Sequence, residues 1–160
     1  MAIPSSYSRR WPGADVIEIS ESPIDTARLQ QSLHNPAAGG FCAFEGWVRN
    51  ENEGHVVERL EYEAHAPLAI TEGEKVLAEA RAKYPYLDAR CVHRGGLLEI
   101  GDCAGWSGVA SAHRDEAFKA CRYIIDEIKV RLPIWKTEHY ANGESGWVNG
   151  ERCAQHGIAD

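Results

Sequence analysis

The sequence lacks the motifs by which metal, nucleotide and serine-nucleophile sites are usually recognised. Its five cysteines form no C-x-x-C pair, and its seven histidines show no H-E-x-x-H or similar spacing. Neither G-x-G-x-x-G nor G-x-x-x-x-G-K-[ST] occurs, and no serine stands in a G-x-S-x-G elbow. Metal-assisted hydrolysis, serine hydrolysis and a doubly wound nucleotide fold are therefore disfavoured, and we expect neither a metal nor a cofactor.

The chain also has little positive charge and no long apolar run. It carries 17 basic against 24 acidic residues, a formal net charge of −7. This balance disfavours general binding to nucleic acid or to an anionic membrane, because both require a basic surface. No stretch is long enough to cross a bilayer. With an odd number of cysteines, these features predict a cytoplasmic protein that binds neither nucleic acid nor membrane and whose anion sites are local.

The length and the two ends of the chain predict one domain. A chain of 160 residues is the usual size for a single core. Residues 1–14 are rich in Ser, Pro and Arg and are predicted to be a flexible lead-in, whereas glycines make residues 141–160 a loop-like tail. We therefore expect a single domain over residues 1–160.

Three helices are indicated by their start and stop residues. In "SESPIDTARLQQSLHNP", Ser22 is a candidate cap and Pro23 suits the first helical position. Pro67 and Pro85 bracket a second helix, in which Gly73 is a weak point.

The third helix is predicted from about Arg114 to Arg131, with Ser111 as its candidate cap. Apolar positions that recur every three or four residues predict the face turned to the core. They are Phe118, Cys121, Ile125, Ile128 and Leu132.

Six segments between the helices have the composition of strands. In one of them, Leu60, Tyr62 and Ala64 alternate with charged residues, as one buried sheet face requires. Because strands and helices do not alternate strictly, we predict an α+β domain with a mixed or largely antiparallel sheet. The segments are "DVIEIS", "GGFCAFEGWV", "VVERLEYEA", "ARCVHR", "LLEI" and "AGWSGVASA".

Three cationic residues stand where a scaffold can present them to an anion. Arg49 opens a turn-rich loop after a strand, and His113 and Arg114 lie at the N-terminus of the third helix, where free N–H groups attract anions. Each also has a plainer explanation, since Arg49 can be a solvated loop residue and the other two ordinary residues of a helix entry.

Two lysines flank the predicted end of the third helix. Lys129 lies at the border of its apolar face, and Pro133 stops the helix so that "PIWK" is extended, with Lys136 and Trp135 on opposite sides. The alternative is a cation paired with the helix dipole for Lys129 and a surface charge for Lys136.

Five segments taken in order resemble one known family. They are "GWVRNENEG", "LEYEAHAPLA", "HRGGLLEIGD", "SAHRDEAFKACRYIIDEIK" and "PIWKTE", and they resemble the catalytic large subunit of molybdopterin synthase, the MoaE family, over about residues 40–140. The resemblance implies an α/β-hammerhead fold, in which an α+β core carries an additional small sheet. It also implies a homodimer flanked by two small ubiquitin-like sulfur carriers, a heterotetramer.

The same resemblance implies a reaction and a set of residues. Sulfur passes from the thiocarboxylate at the carrier's C-terminal Gly-Gly to cyclic pyranopterin monophosphate and forms the dithiolene of molybdopterin. Lys129 and Lys136 match the family's two functional lysines. The implied substrate-binding residues are Trp47, Val48, Arg49, His113, Arg114, Thr137, Glu138 and, in the tail, Arg152.

Two other classes of function remain open from the sequence. One is a non-catalytic module that binds a ubiquitin-like tail or a phosphorylated ligand through the same cationic pocket. The other is a phosphate-recognising hydrolase, which the missing metal and nucleophile motifs disfavour. Turnover of a thiocarboxylated carrier with the pterin precursor separates both from the sulfurtransferase.

Overall fold

The computed structural model describes residues 15–148, which form three helices and nine strands. The predicted lead-in of residues 1–14 lies outside the described residues, as do residues 149–160. The helices are α1 (Thr26–Ser32), α2 (Ala66–Lys83) and α3 (Arg114–Arg131). The strands are β1 (Val16–Ser20), β2 (Gly40–Trp47), β3 (Glu51–Asn52), β4 (His55–Ala64), β5 (Asp88–Arg94), β6 (Gly96–Glu99), β7 (Cys103–Ser111), β8 (Ile134–Tyr140) and β9 (Ser145–Val148).

The strands are arranged in two sheets. The first has the order β1-β5-β7-β2, and only β1 and β5 run parallel. The second has the order β3-β4-β8-β9, with β6 also paired to β4. The predicted α+β class with a mixed sheet is therefore confirmed, and the second sheet corresponds to the additional sheet of the hammerhead fold.

Helices cover both faces of the first sheet because its side chains alternate between them. One face packs against α2 and α3, with Ile17, Cys91 and Val109 from the strands. The other face packs against α1 through Val92 and Trp106. A third cluster, which lies where the two sheets meet, contains Val48, Val57, Leu60, Leu98 and Ala104.

Two helix caps differ from the prediction. Asp25, not Ser22, caps α1, since its Oδ1 accepts a hydrogen bond from the Arg28 N–H at 3.1 Å. At α3 the cap is His113, whose side chain makes no capping bond. Ser111 cannot serve there because it is the last residue of β7, where it pairs with β2.

The buried face of α3 is also displaced from the predicted one. Phe118 is 62% exposed, so its assignment to the core was wrong. The buried face is centred instead on small residues such as Ala117 and Ala120, together with Ile124. Phe118 lies about 100° around the helix axis from Ala117, and the alanines let α3 lie close to the sheet.

The tail is more ordered in its first part than we predicted. Residues 141–144 form a turn, and Ser145–Val148 form β9, which pairs antiparallel with β8. A loop-like tail from residue 141 onward is therefore wrong for this stretch. Pairing with β8 makes this stretch a strand, which its glycine-rich sequence did not indicate.

Candidate active site

A buried ion pair on β8 forms the centre of the candidate site. The Nζ of Lys136 lies 3.3 Å from Oε1 of Glu138, whose side chain is only 2% exposed. The Asn52 amide donates to both oxygens of Glu138, at 2.8 and 3.1 Å, and the Tyr140 hydroxyl donates to Oε2 at 2.9 Å. A carboxylate with this many partners holds the Lys136 ammonium in one position.

Alternation along β8 separates the predicted residues of the "PIWKTE" segment. Lys136 and Glu138 project from one face of the strand, as their ion pair requires. Thr137 lies between them and belongs to the opposite face. The extended conformation predicted after Pro133 is confirmed, and Trp135 is 47% exposed.

Lys129 lies in the last turn of α3 and reaches the first sheet. Its Nζ stands 5.4 Å from the centre of the Phe44 ring on β2, a cation–π contact. Leu132 already has the extended conformation (φ −75°, ψ 135°) that a following proline favours, so α3 ends as predicted before Pro133. Lys129 is exposed, and among residues 15–148 no carboxylate lies within ion-pair distance of it.

Two aromatic rings connect the surroundings of the two lysines. The ring of Tyr62 on β4 meets that of His93 on β5 edge to face, with centres 5.0 Å apart. Tyr62 pairs with Lys136 across the β4–β8 ladder. Burial, and in addition the charge of Lys129, lowers the pKa of His93. Both lysines therefore lie at the junction of the two sheets.

A pocket of about 510 Å³ opens beside this junction, in the loop that follows β2. Trp47, Val48 and Arg49 line it, together with Asn52, which also binds Glu138. Trp47 is 66% exposed, whereas the Val48 side chain is 3% exposed and belongs to the core. Val48 therefore serves the pocket by its backbone, which exchanges hydrogen bonds with Asp102 and Gly101.

His113 and Arg114 lie far from the lysines within one chain. Both are exposed at the N-terminus of α3, where the backbone of Arg114 passes close to Gly40 at the start of β2. Lys129 is at the other end of the same helix, about 22 Å away from Arg114 at 1.5 Å per residue. Asn52 thus connects the pocket of Arg49 to the Lys136–Glu138 pair. Tyr62 and His93 connect the surroundings of Lys136 to Lys129, whereas the length of α3 keeps His113 and Arg114 away from Lys129.

Several other predictions concern cysteines, metals and the tail. Among the described residues, Cys42, Cys91, Cys103 and Cys121 are free thiols, and burial raises the pKa of Cys91 to about 12. Residues 15–148 contain no group of three His, Cys, Asp or Glu side chains placed to hold a metal ion. Nor is any helix of this part long and apolar enough to span a membrane. Arg152, in the predicted tail, lies outside the described residues.

Four residues around the lysines were not identified from the sequence. Tyr140 could have been found from its period-two spacing with Lys136 and Glu138. Asn52 and His93 come from other strands and reach the site only through sheet pairing, and Phe44 reads as an ordinary strand residue.

The fold and the site together define an α+β protein whose partly buried site at a sheet junction offers basic side chains, a class able to bind anionic groups. The MoaE protein family model matches residues 19–131, and the chain belongs to this family.

Known relatives agree with this assignment. The molybdopterin synthase catalytic subunit of Synechococcus elongatus is 41% identical over 87% of this chain and 85% of its own length. The crystal structure of molybdopterin synthase from Staphylococcus aureus is 36% identical, with a TM-score of 0.78 over 82% of this chain and 96% of that one. A complex of subunits 1 and 2 of molybdopterin-converting factor from Helicobacter pylori shares the fold at 23% identity, with a TM-score of 0.69 over 83% of this chain and 90% of that one. As a MoaE protein, the chain is a sulfurtransferase of molybdenum cofactor biosynthesis.

Proposed function

We propose that this chain transfers sulfur from the C-terminal thiocarboxylate of a small ubiquitin-like carrier to cyclic pyranopterin monophosphate, forming the dithiolene of molybdopterin. The observation that carries the proposal is the Lys136–Glu138 pair, which Asn52 connects to the pocket lined by Arg49. Lys129, whose ammonium stands over the Phe44 ring at the edge of the first sheet, adds a further cation. A thiocarboxylate and a phosphate are both anions, and a protein of net charge −7 needs a local cationic site to bring them together.

The electrostatic repulsion between the thiocarboxylate and the phosphate explains why several cations are required. Two unit charges 4 Å apart repel by about 4 kcal/mol at an effective dielectric of about 20, against about 1 kcal/mol in water. Once the thiocarboxylate sulfur has bonded to the pterin, Lys129 polarises the carrier's terminal carbonyl and stabilises the oxyanion that forms when water adds to it. Collapse of this oxyanion breaks the carbon–sulfur bond, leaving sulfur on the pterin and a carboxylate on the carrier. Lys136, held by Glu138, balances the substrate charge and takes part in proton transfer.

The pocket after β2 is proposed to bind the pterin and its phosphate. Arg49 offers the bidentate donors that suit a phosphate, and Trp47 offers an exposed ring for a flat heterocycle. Asn52 links this pocket to Glu138, so substrate bound in the pocket affects the position of the Lys136 ammonium. Thr137 lies on the other face of β8, so its effect on the substrate is indirect, through the position of the strand.

His113 and Arg114 are proposed to complete the site of a second copy of the chain. β2 is an edge strand of the first sheet and exposes Phe41 and Phe44, as an interface strand would. A two-fold axis beside β2 reverses the direction of α3 in the partner. The N-terminus of one α3 then approaches the C-terminus of the other, where Lys129 lies.

The carrier is proposed to bind each copy of this homodimer, giving a heterotetramer. Support comes from the Helicobacter pylori relative in fold, whose structure is a complex of two subunits. The exposed Trp135 on β8, which projects from the strand face opposite Lys136, offers an apolar contact for the body of the carrier. Four free thiols in the described residues fit the reducing cytoplasm, where we place the reaction. The tail residue Arg152 is proposed as a further contact to substrate.

Single-turnover sulfur transfer from thiocarboxylated carrier to the pterin precursor tests this function. We expect product with the wild-type chain and a loss of at least about a hundredfold in rate for Lys129→Ala and Lys136→Ala. Lys119→Ala is the matched control, because Lys119 lies on the exposed side of α3 and, within residues 15–148, forms an ion pair with Asp115 alone, at 2.9 Å. A wild-type rate in either site variant removes that lysine from the mechanism, and binding without product identifies a non-catalytic module.

A further inference from the structure

A floor without side chains separates two aromatic rings at the end of the first sheet. Gly46 on β2 and Gly105 on β7 are direct partners, and Gly105 also pairs with His93 on β5. A Cβ on Gly105 would lie 3.7 Å from the His93 Cδ2, and one on Gly46 would lie 3.4 Å from the Phe44 Cε1. The two rings therefore flank the two glycines on the face that α3 covers.

This floor brings His93 close to Lys129. β7 lies between β5 and β2, so the backbones of His93 and Phe44 are two strand spacings, about 9.6 Å, apart. The Cδ2 edge of His93 lies against Gly105 and the Phe44 ring against Gly46, the glycine paired with Gly105. The Lys129 Nζ stands over that ring, 5.4 Å from its centre. Because neither glycine has a side chain, a change of rotamer in the four-carbon stem of Lys129 can carry its ammonium over them toward His93.

The protonation of the His93 ring is fixed by its backbone contact. Nδ1 lies 2.7 Å from the carbonyl oxygen of Arg94, and because a carbonyl only accepts, Nδ1 carries the proton. The neutral ring then has its lone pair on Nε2. Burial first, and the charge of Lys129 second, lower the pKa of His93 below its usual value of 6.5, so the ring is neutral at pH 7. The edge-to-face contact with Tyr62 holds the orientation of the His93 ring.

The groups that face His93 come from several elements. α3 contributes Lys129 and β4 contributes Tyr62, and Lys136 of β8 stands beside Tyr62 with Glu138 behind it. β1, β2 and β7 contribute uncharged residues at this row, including Ile19 as the partner in β1. The Arg94 side chain projects from the other face of β5. The charges in front of the ring are therefore mainly cationic.

We propose that His93 is a positioning residue for Lys129, whose ammonium it receives at Nε2 across the floor of Gly46 and Gly105. The imidazole directs the lysine from the Phe44 ring toward the reacting carbonyl. Its protonation at acid pH removes the acceptor and adds a second positive charge, which displaces Lys129. The catalytic part of this inference rests on the proposed function, whereas the contact itself does not.

A proton NMR titration of the full chain tests the contact without any turnover. The His93 signal, identified by its absence in His93→Gln, should titrate below pH 6.5 in the wild type. Lys129→Gln should shift its midpoint upward toward 6.5, and Lys119→Gln should leave it unchanged. An unchanged His93 midpoint in Lys129→Gln overturns the inference.

The pH profile of single-turnover sulfur transfer tests the positioning role. We expect His93→Phe, which keeps a ring against Tyr62 but loses the acceptor, to slow transfer about tenfold or more, as for a lost hydrogen bond to a charged group. His93→Gln retains an acceptor, so it should recover most of the rate and lose the acidic decline of the wild type. A wild-type profile in both variants overturns the role of His93 but leaves the proposed function intact. An inactive wild type with a shifted titration midpoint would instead remove the proposed function and the catalytic part of the inference.

Discussion

Among the described residues, Glu138 makes more side-chain hydrogen bonds and ion-pair contacts than either candidate lysine, Lys129 or Lys136. Its carboxylate joins Lys136, Asn52 and Tyr140, which come from two strands of the second sheet. Removal of one member of a buried ion pair leaves an uncompensated charge, a change that typically costs about 3–5 kcal/mol. The residue therefore contributes to stability as well as to the position of Lys136.

Glu138→Ala should lower the free energy of unfolding by about 3 kcal/mol, because Lys136 and two partly buried donors lose their partner. Glu138→Gln retains the shape and one acceptor and should cost less. Tyr140→Phe removes a single 2.9 Å hydrogen bond and should cost about 1 kcal/mol. Urea denaturation of the three variants measures the loss in free energy of unfolding of each. A loss below about 1 kcal/mol in Glu138→Ala would contradict the expected stabilisation by Glu138.

The sequence predicted the polar residues of β8 but not what they bind. Lys136 and Glu138 were found because they stand in one short segment, and their common face follows from alternation. Asn52 lies 86 residues away from Glu138 along the chain, and nothing in a turn-rich loop indicates which strand it will meet. Such contacts depend on sheet register, which one sequence does not determine.

Within the helices, Gly73 shows how an element is adapted to its neighbour. The sequence suggested a weak point in α2, since glycine lowers helix propensity by about 1 kcal/mol relative to alanine. In the structure Gly73 is buried against β1, and a Cβ there would lie 2.0 Å from Cδ1 of Ile17. The glycine is therefore required for the close approach of α2 to the sheet.

Gly73→Ala should destabilise the protein, because overpacking costs about 1–3 kcal/mol and the gain in helix propensity offsets only part of this. Ile17→Val removes the Cδ1 atom that the new methyl would meet. The cost of Gly73→Ala should therefore be smaller in an Ile17→Val background, as a double-mutant cycle of unfolding free energies will measure. Additive effects of the two substitutions would show that the clash is relieved elsewhere.

Helix existence was easier to predict than helix detail. All three helices were found from prolines and apolar spacing, and Pro133 ends α3 through an extended Leu132 as expected. The predicted cap of α3 was wrong because another element competes for the residue: Ser111 belongs to β7, where it pairs with β2. The prediction that Phe118 is buried was wrong because apolar spacing alone does not indicate that the alanines of α3 face the sheet.

At the scale of the whole molecule, the separation of His113 and Arg114 from the lysines is the main departure from the sequence prediction. We expected all the cations to face one cleft, because sequence order gives no distances. The length of α3 separates them within one chain. A site shared between two copies reconciles the predicted residue set with this geometry.

Mixing two inactive variants tests a shared site. Lys129→Ala and Arg114→Ala place their defects at opposite ends of α3, so a mixed dimer contains one site with both residues intact. After unfolding and refolding together, the pair should recover about a quarter of the wild-type sulfur-transfer rate, because half of the dimers are mixed and each has one intact site. A mixture of Lys129→Ala with Lys136→Ala is the control and should stay inactive, since these two lysines belong to the same region. No recovery in the first mixture would contradict a site shared between two copies.

The unbroken course of α3 has a consequence for how this sequence can vary over evolution. A single insertion in the helix would turn its far end by about 100° and advance it by about 1.5 Å. Lys129 would then leave the Phe44 ring while His113 stayed at the β7 junction. We therefore expect length changes among related proteins to fall in the loops, and the interval between the residues equivalent to His113 and Lys129 to be invariant in those that retain activity.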